Sequence, residues 1–204
     1  MENKGAILIL SGPSGCGKST LLKEIYKNID NYYFSISTTT RAPRTGEKDG
    51  VDYYFVNKES FEKDIEDGNF LEWAKVHDNY YGTSLKPIVE ALNEGKLVIF
   101  DIDVQGHKIV RKKLNSQVTS VFITTPSLTI LKDRLYSRNS DSKDIIEKRL
   151  INAKEEINSF LDYDYLIVND DLEKATKEIL AIANTARIKA KLFDKEALLN
   201  SWFK

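Results

Sequence analysis

The run Ala6-Ile-Leu-Ile-Leu10, followed after Ser11 by Gly12-Pro-Ser-Gly-Cys-Gly-Lys-Ser19 and then by Thr20, Leu21, Leu22, Ile25 and Ile29 at helical spacing, decides the fold. A short, continuously apolar run bounded by turn residues reads as a strand buried on both faces. Residues 12–19 fit G-x-x-x-x-G-K-[ST], in which glycines free the backbone to point several N–H groups inward at a phosphate chain. The positive end of the following helix adds to that field. Lys18 is the residue type that reaches the outer phosphates, and the Ser19 hydroxyl is the type that ligates magnesium. Without context the eight residues also describe a glycine-rich turn; the strand before and the helix after are what the phosphate-binding reading requires.

Working outward, residues 33–37, 97–102, 118–123 and 165–168 repeat the apolar strand pattern of residues 6–10. Between them lie helical faces: Leu85, Ile88, Val89 and Leu92, closed by Gly95; Leu128, Leu131 and Leu135; and Ile179, Ile182, Ala183 and Ala186 after an N-cap signal in Asp170-Asp-Leu-Glu173. Strands alternating with helices predict an α/β fold with a three-layer parallel sheet, whose ligands bind beyond the carboxyl ends of the strands. Two segments break the rhythm. Residues 37–84 hold β-like pieces at 52–56, 70–76 and 79–83 around one short helix with Phe61 and Ile65, and predict a small, mostly β lobe inserted in the core. Residues 135–158, polar and then helical, read as a flap. The core is then residues 1–36, 85–134 and 159–204 of a single domain.

The 204 residues suffice for one sizeable core, and 30 basic against 31 acidic residues leave no bulk attraction to nucleic acid or anionic membrane. The opening Met-Glu-Asn-Lys-Gly lacks a secretory pattern, no apolar run reaches the length of a membrane span, and the single cysteine, Cys16, excludes an internal disulfide, so a reducing cytoplasm is expected. Cys16 reads either as a small residue filling a variable loop position or as a reactive thiol. Oligomeric state stays open.

Asp101 and Asp103 end an apolar strand, where phosphate-loop proteins keep a second magnesium group, although a strand-ending Asp is common in any α/β protein. In Ser37-Thr-Thr-Thr-Arg41-Ala-Pro-Arg44-Thr-Gly-Glu-Lys-Asp-Gly-Val-Asp-Tyr53, two guanidinium groups three residues apart can fork onto a phosphate, with Tyr53 and Tyr81 as phenolic donors. The same residue types also suit a solvated polar loop. His77 and His107 suggest no metal site, and Trp73 and Trp202 are expected to be packing residues.

Taken in order, Gly-Pro-Ser-Gly-x-Gly-Lys-Ser, Ser-x-Ser-x-Thr-Thr-Arg-x-Pro-Arg-x-Gly-Glu, Asp-Tyr-x-Phe-Val, Phe-Leu-Glu-Trp-Ala, Tyr-Tyr-Gly-Thr, Asp-Ile-Asp-x-Gln-Gly and Ile-Val-Asn-Asp-Asp-Leu resemble the guanylate kinase family over essentially the whole chain. The resemblance implies a P-loop kinase core, a GMP-binding lobe at 37–84 and a helical lid at 135–158, with Mg2+-dependent transfer of the γ-phosphoryl group of ATP to GMP or dGMP and neither nucleic acid nor membrane as partner. It assigns Gly12, Pro13, Ser14, Gly15, Cys16, Gly17, Lys18, Ser19, Thr20, Arg134, Arg138 and Asn169 to ATP, and Ser37, Arg41, Arg44, Tyr53, Glu72, Tyr81, Thr83, Asp101 and Asp103 to GMP. Lys18, Arg41, Arg138 and Arg149 are the implied catalytic cations, and Ser19 with Asp101 the implied metal ligands. Glu72 also has a case of its own: guanine offers N1–H and N2–H side by side to a carboxylate, whereas adenine would present a lone pair there. Asn139 stands where a glycine is frequent, and Thr125 where a second proline is usual. The rival readings are a guanylate-kinase-like scaffold without catalysis and a kinase of a phosphorylated ribose.

Overall fold

The computed structural model describes residues 4–44, 46–76, 78–114, 117–137 and 142–204. Arg138, Asn139 and His77, singled out above, lie outside the described residues. The chain runs β1 (Ala6–Ser11), α1 (Lys18–Asn28), β2 (Tyr32–Phe34), β3 (Thr38–Thr39), β4 (Tyr54–Phe55), α2 (Lys58–Glu66), β5 (Phe70–Val76), β6 (Asn79–Ser84), α3 (Leu85–Asn93), β7 (Leu97–Asp101), α4 (Val104–Leu114), β8 (Val118–Thr124), α5 (Leu128–Ser137), α6 (Lys143–Glu156), β9 (Tyr165–Val168), α7 (Leu172–Ala186) and α8 (Lys195–Trp202).

Five strands form a parallel sheet in the order β2-β7-β1-β8-β9. β1 lies at its centre and every residue of it is buried. Because strand side chains alternate in direction, Ala6, Leu8 and Leu10 point to one face. There they join Leu21, Leu22 and Ile25 of α1, Leu131 and Leu135 of α5, Ile146 and Leu150 of α6, and Ile179 and Ala183 of α7. Ile7 and Ile9 point to the other face, against Ile88, Ala91 and Leu92 of α3 and Val110 of α4. Burial on both faces is the three-layer arrangement that the unbroken apolar strands predict.

A second sheet, β4-β3-β6-β5, is built from the intervening segment, with β3–β4 parallel and its other pairs antiparallel. α2 closes it. Asn57 caps this helix by accepting from Ser60 N–H at 2.7 Å, and fully buried Phe61 stacks on Phe70 and Tyr80 at centroid distances of 4.3 and 5.2 Å. Arg111 of α4 clamps the main sheet by a two-pronged ion pair to Asp164 at 2.6 and 2.7 Å, and the same carboxylate accepts from Ser120 N–H. Burial pushes Asp164 upward, but the Arg111 and Ser120 hydrogen bonds outweigh it and hold the carboxyl below its usual range. No helix of the described residues is long and apolar enough to cross a membrane.

Several local expectations change. The strand expected at 33–37 ends at Phe34, and the piece expected at 52–56 forms a strand only at Tyr54–Phe55, with Tyr53 in an isolated bridge to Asp49. Val89 is exposed, its place on the inner face of α3 being taken by Ala91. Trp73 and Trp202 are not packed inside: they are exposed, with the Trp202 ring edge-on to Phe203. Helix α7 is capped by Asp171, whose carboxylate accepts from Lys174 N–H at 2.8 Å.

Candidate active site

The loop between β1 and α1 needs glycine for two separate reasons. At Gly12 (φ 144°) a Cβ would fall 1.9 Å from the Ile123 carbonyl oxygen, and at Gly17 (φ 102°) it would fall 2.1 Å from Asn169 Nδ2. The loop is thus pressed against β8 on one side and the end of β9 on the other. Asn169, 5% exposed, donates from Nδ2 to the Cys16 carbonyl at 2.8 Å and is itself held by Thr124 O at 2.7 Å. It braces the loop, while the helix that follows is capped by Asp171. Cys16 is fully buried, and burial pushes its thiol up despite nearby Lys18, which is the opposite of a reactive thiolate.

Lys18 Nζ donates to Gly12 O at 2.6 Å and lies 3.5 Å from Pro13 O, holding a cation at the mouth of the loop. Ser19 and Thr20 are exposed beside it. Leu10 pairs with Asp101 across β1 and β7, so the loop and this carboxylate leave the sheet together. Solvent reaches Asp101, yet crowding by the cleft floor raises its carboxyl above the ordinary range while Lys18 draws it down. Asp103, two residues on, caps α4 by accepting from Gln105 and Gly106 N–H at 3.0 and 2.8 Å.

The arginines expected on a lid are placed differently. Arg149, from α6, donates to Ser14 Oγ in the loop at 2.9 Å. Arg134, from α5, donates to Asn169 O at 2.9 Å and lines a cavity of about 290 Å³ with Gly15, Gly17, Thr20, Ser137, Asn169, Asp170 and Leu172. The segment 142–156, read in sequence as part of a flap, holds an ordered helix whose Ile146, Leu150 and Ala153 are buried. Its last residue, Glu156, was not singled out in the sequence. Burial raises its carboxyl, while the charge of Lys18 lowers it and that of Asp103 raises it.

On the second sheet, Glu72 of β5 stands opposite Thr83 of β6. The buried Thr83 hydroxyl donates to Glu72 Oε1 at 2.6 Å. Burial raises the Glu72 carboxyl; the Thr83 bond lowers it, Asp103 raises it and Lys113 lowers it. Tyr81, two residues before Thr83, shares its face of β6. Its ring meets Tyr53 edge-on at 6.1 Å, and the Arg41 guanidinium carbon sits 5.5 Å from the Tyr53 ring centre. Glu72, Thr83, Tyr81, Tyr53 and Arg41 thereby lie next to one another in the lobe. Ser37 enters through its backbone, accepting from Tyr54 N–H at 2.9 Å, and Arg44 is exposed at the rim. Glu47 went unassigned in the sequence: it grips Arg41 Nη2 with both oxygens at 2.8 and 2.9 Å and accepts from Arg44 N–H at 2.7 Å. The Arg44 amide first, and then Arg41, hold its carboxyl below the ordinary range. A Glu within a polar loop carries no signal of this; only the folded loop turns it onto Arg41.

A central strand running into a G-x-x-x-x-G-K-S loop, with a carboxylate at the end of the adjacent strand, defines a P-loop fold, to which a small β lobe carrying arginines and tyrosines is added. The sequence model of the family described as guanylate kinase matches residues 4–186. The chain is 54% identical over 198 residues to the guanylate kinase of Sulfurimonas denitrificans, covering 97% of this chain and 96% of that one. It is also 54% identical over 202 residues to that of Helicobacter pylori strain 26695, covering 99% and 98%. The crystal structure of guanylate kinase from Anaplasma phagocytophilum superposes with a TM-score of 0.76 at 34% identity, over 100% of this chain and 97% of that one. The chain belongs to the guanylate kinase family. It is a nucleoside monophosphate kinase, and its substrates are small-molecule nucleotides.

Proposed function

We propose that this protein transfers the γ-phosphoryl group of ATP to GMP or dGMP, giving ADP and GDP or dGDP, with Mg2+ and in the cytoplasm. The observation that carries the choice of acceptor is the Glu72–Thr83 pair at 2.6 Å. A carboxylate can take both N1–H and N2–H of guanine, and Thr83 can turn its hydroxyl to guanine O6; adenine would leave an acceptor facing an acceptor. The phosphate of the acceptor nucleotide then falls toward Tyr81, Tyr53, Arg41 and Arg44. Glu47 would give up or share Arg41 as that phosphate arrives, because the guanidinium has donors to spare for both.

On the donor side, the loop amides and Lys18 receive the triphosphate, and the cavity beside Arg134 and Asn169 receives its base. For the metal, the donor set is one carboxylate, Asp101, and one hydroxyl, Ser19, both reached by solvent. Hard oxygens in that number suit Mg2+, which keeps several waters and takes its remaining ligands from phosphate. When bound, the ion would neutralise charge on the donor phosphates. A phosphate oxygen of GMP is already a nucleophile, so catalysis here is positioning and charge neutralisation. Lys18, Arg41, Arg149 and, outside the described residues, Arg138 are the cations assigned to it. Closure of the 37–84 lobe and the 135–158 lid over the core would exclude water.

Coupled ADP release with GMP, dGMP, AMP, UMP and a ribose phosphate tests the acceptor. Activity confined to GMP and dGMP is expected, and equal activity with AMP would refute the reading. Glu72→Gln should cut the preference for GMP over AMP by about tenfold to a hundredfold, the cost of one lost charged acceptor. Unchanged preference removes Glu72 from the base site.

A further inference from the structure

The strand that carries Glu72 is irregular at one point. Phe70 faces Ser84, but Glu72 faces Thr83, so Leu71 is the extra residue of a β-bulge. Bulges bend a strand and re-aim the side chains beside them. The Leu71 side chain is fully buried and packs into the main core with Ile7, Ile9 and Ile88. Its carbonyl accepts a hydrogen bond from Lys113 Nζ, which reaches across from the last turn of α4. Thr83 on β6 hydrogen-bonds the Glu72 carboxylate, and the charges of Asp103 before α4 and Lys113 on α4 act on it through space. Glu72, Leu71 and Lys113 line one cavity of about 280 Å³ together with Trp73 and Ile109. Nothing in the anion-binding or metal-binding chemistry above uses Lys113.

We propose that Lys113 is a positioning residue for base recognition: its ammonium holds the bulge at Leu71, on the cavity that Glu72 also lines, so that Glu72 meets an incoming purine aimed at its Watson–Crick edge. The inference rests on the assignment of Glu72 to guanine made above. Two consequences follow from one cation. Geometrically, a lobe strand is tied to a core helix at the residue preceding Glu72, so the direction of the carboxylate is set from outside the lobe. Electrostatically, burial and Asp103 both disfavour the ionised carboxyl, and of the groups named only Thr83 and Lys113 favour it. Removing Lys113 leaves Thr83 alone on that side.

Steady-state kinetics of Lys113→Met, Lys113→Gln, Lys113→Arg and Glu72→Gln, with GMP as substrate and AMP as competitor, test this. Lys113→Met keeps most of the apolar stem; it should raise KM for GMP about tenfold, with kcat within about twofold and the AMP inhibition constant unchanged. The acid limb of kcat/KM for GMP should move to higher pH, because a carboxyl that loses a nearby cation is harder to ionise. Lys113→Arg should restore both, and Lys113→Gln, which keeps a donor for Leu71 without charge, should restore KM more than the acid limb. An unchanged KM and acid limb in Lys113→Met, beside a raised KM in Glu72→Gln, overturns this inference and leaves the guanine assignment standing. No effect of Glu72→Gln overturns the assignment itself. Equal loss of kcat without a change in the GMP-to-AMP ratio marks Lys113 as a mere tether and also overturns the proposal. Should the Met variant fail to fold, the comparison of Gln with Arg decides: identical acid limbs overturn it.

Discussion

Replacing Gly17 by Ala should destabilise the fold by an amount that depends on a residue 152 positions away in the chain. Gly17 has φ 102°, a conformation that costs a residue with a side chain about 1–3 kcal/mol. The added Cβ would lie 2.1 Å from Asn169 Nδ2, so Asn169 has to leave. Its departure breaks the buried 2.8 Å bond to Cys16 O, and leaving a buried polar group unsatisfied costs a further 1–3 kcal/mol or so. The sum is about 4 kcal/mol, which for a chain of this size lowers Tm by roughly 8–16 °C. In an Asn169→Ala background the clash has no partner, and the same substitution should cost only the conformational part, about 2 kcal/mol. The assay is urea unfolding of the four proteins of the cycle, followed by far-ultraviolet circular dichroism. Tryptophan emission would serve poorly, because Trp73 and Trp202 are already 46% and 79% exposed in the folded state. Equal costs in the two backgrounds, or a cost below about 0.5 kcal/mol in either, would show that Gly17 and Asn169 do not share the space described.

Two further outcomes are expected. Lys18→Ala should lower kcat about 100- to 1000-fold, as loss of one preorganised donor to developing charge does, with little change in GMP affinity measured by calorimetry; normal turnover would contradict the role given to Lys18. Arg111→Met should cost about 1–2 kcal/mol, discounted from a fully buried pair because both partners are close to a third exposed. The folded Asp164 carboxyl titrates below its ordinary value, so this stabilisation is complete above the unfolded value near 3.9 and is lost as pH falls through the lower folded one. Urea midpoints of the wild type and the Arg111→Met variant should therefore stay apart from pH 7 to 5 and converge below about pH 4; a constant gap would sever the Arg111–Asp164 link.

What was legible in the sequence was mostly local. Residues 6–29 contain a buried strand, a turn that only glycine permits and the start of a helix within one contiguous stretch, so pattern and chemistry could be read together. The other four strands of the main sheet are apolar runs too, but only β7 and β8 are buried along nearly their whole length, while β9 at the edge exposes Tyr165, Leu166 and Val168. Helix α4 escaped notice: of its residues only His107 and Val110 are buried, and His107 stacks on Tyr163 at 3.9 Å instead of presenting an apolar stripe. Helix α8 buries nothing at all: Leu198, Leu199 and Trp202 stand at helical spacing but stay exposed, and Asp194 caps the helix. The strand at residues 32–34 ends before Ser35-Ile-Ser37 because its register with β7 stops at Phe34 opposite Ile99, and pairing is a property of the partner.

The candidate site divides along the same line. The loop, the strand-ending Asp101, the twin arginines and a carboxylate suited to guanine were each readable as residue types, because phosphate binding and base reading constrain chemistry position by position. How they act on one another was not. Glu47 turns back onto Arg41, Asn169 wedges under Gly17, Arg149 reaches Ser14, and a one-residue slip at Leu71 aims Glu72 while Lys113 holds the slip in place. The sequence by itself determined which chemistry this protein carries and in which fold, since those follow from local pattern and residue type. Only the tertiary structure decided which groups stand within a hydrogen bond of one another, because strand register, bulges and helix docking bring together residues that the chain keeps far apart.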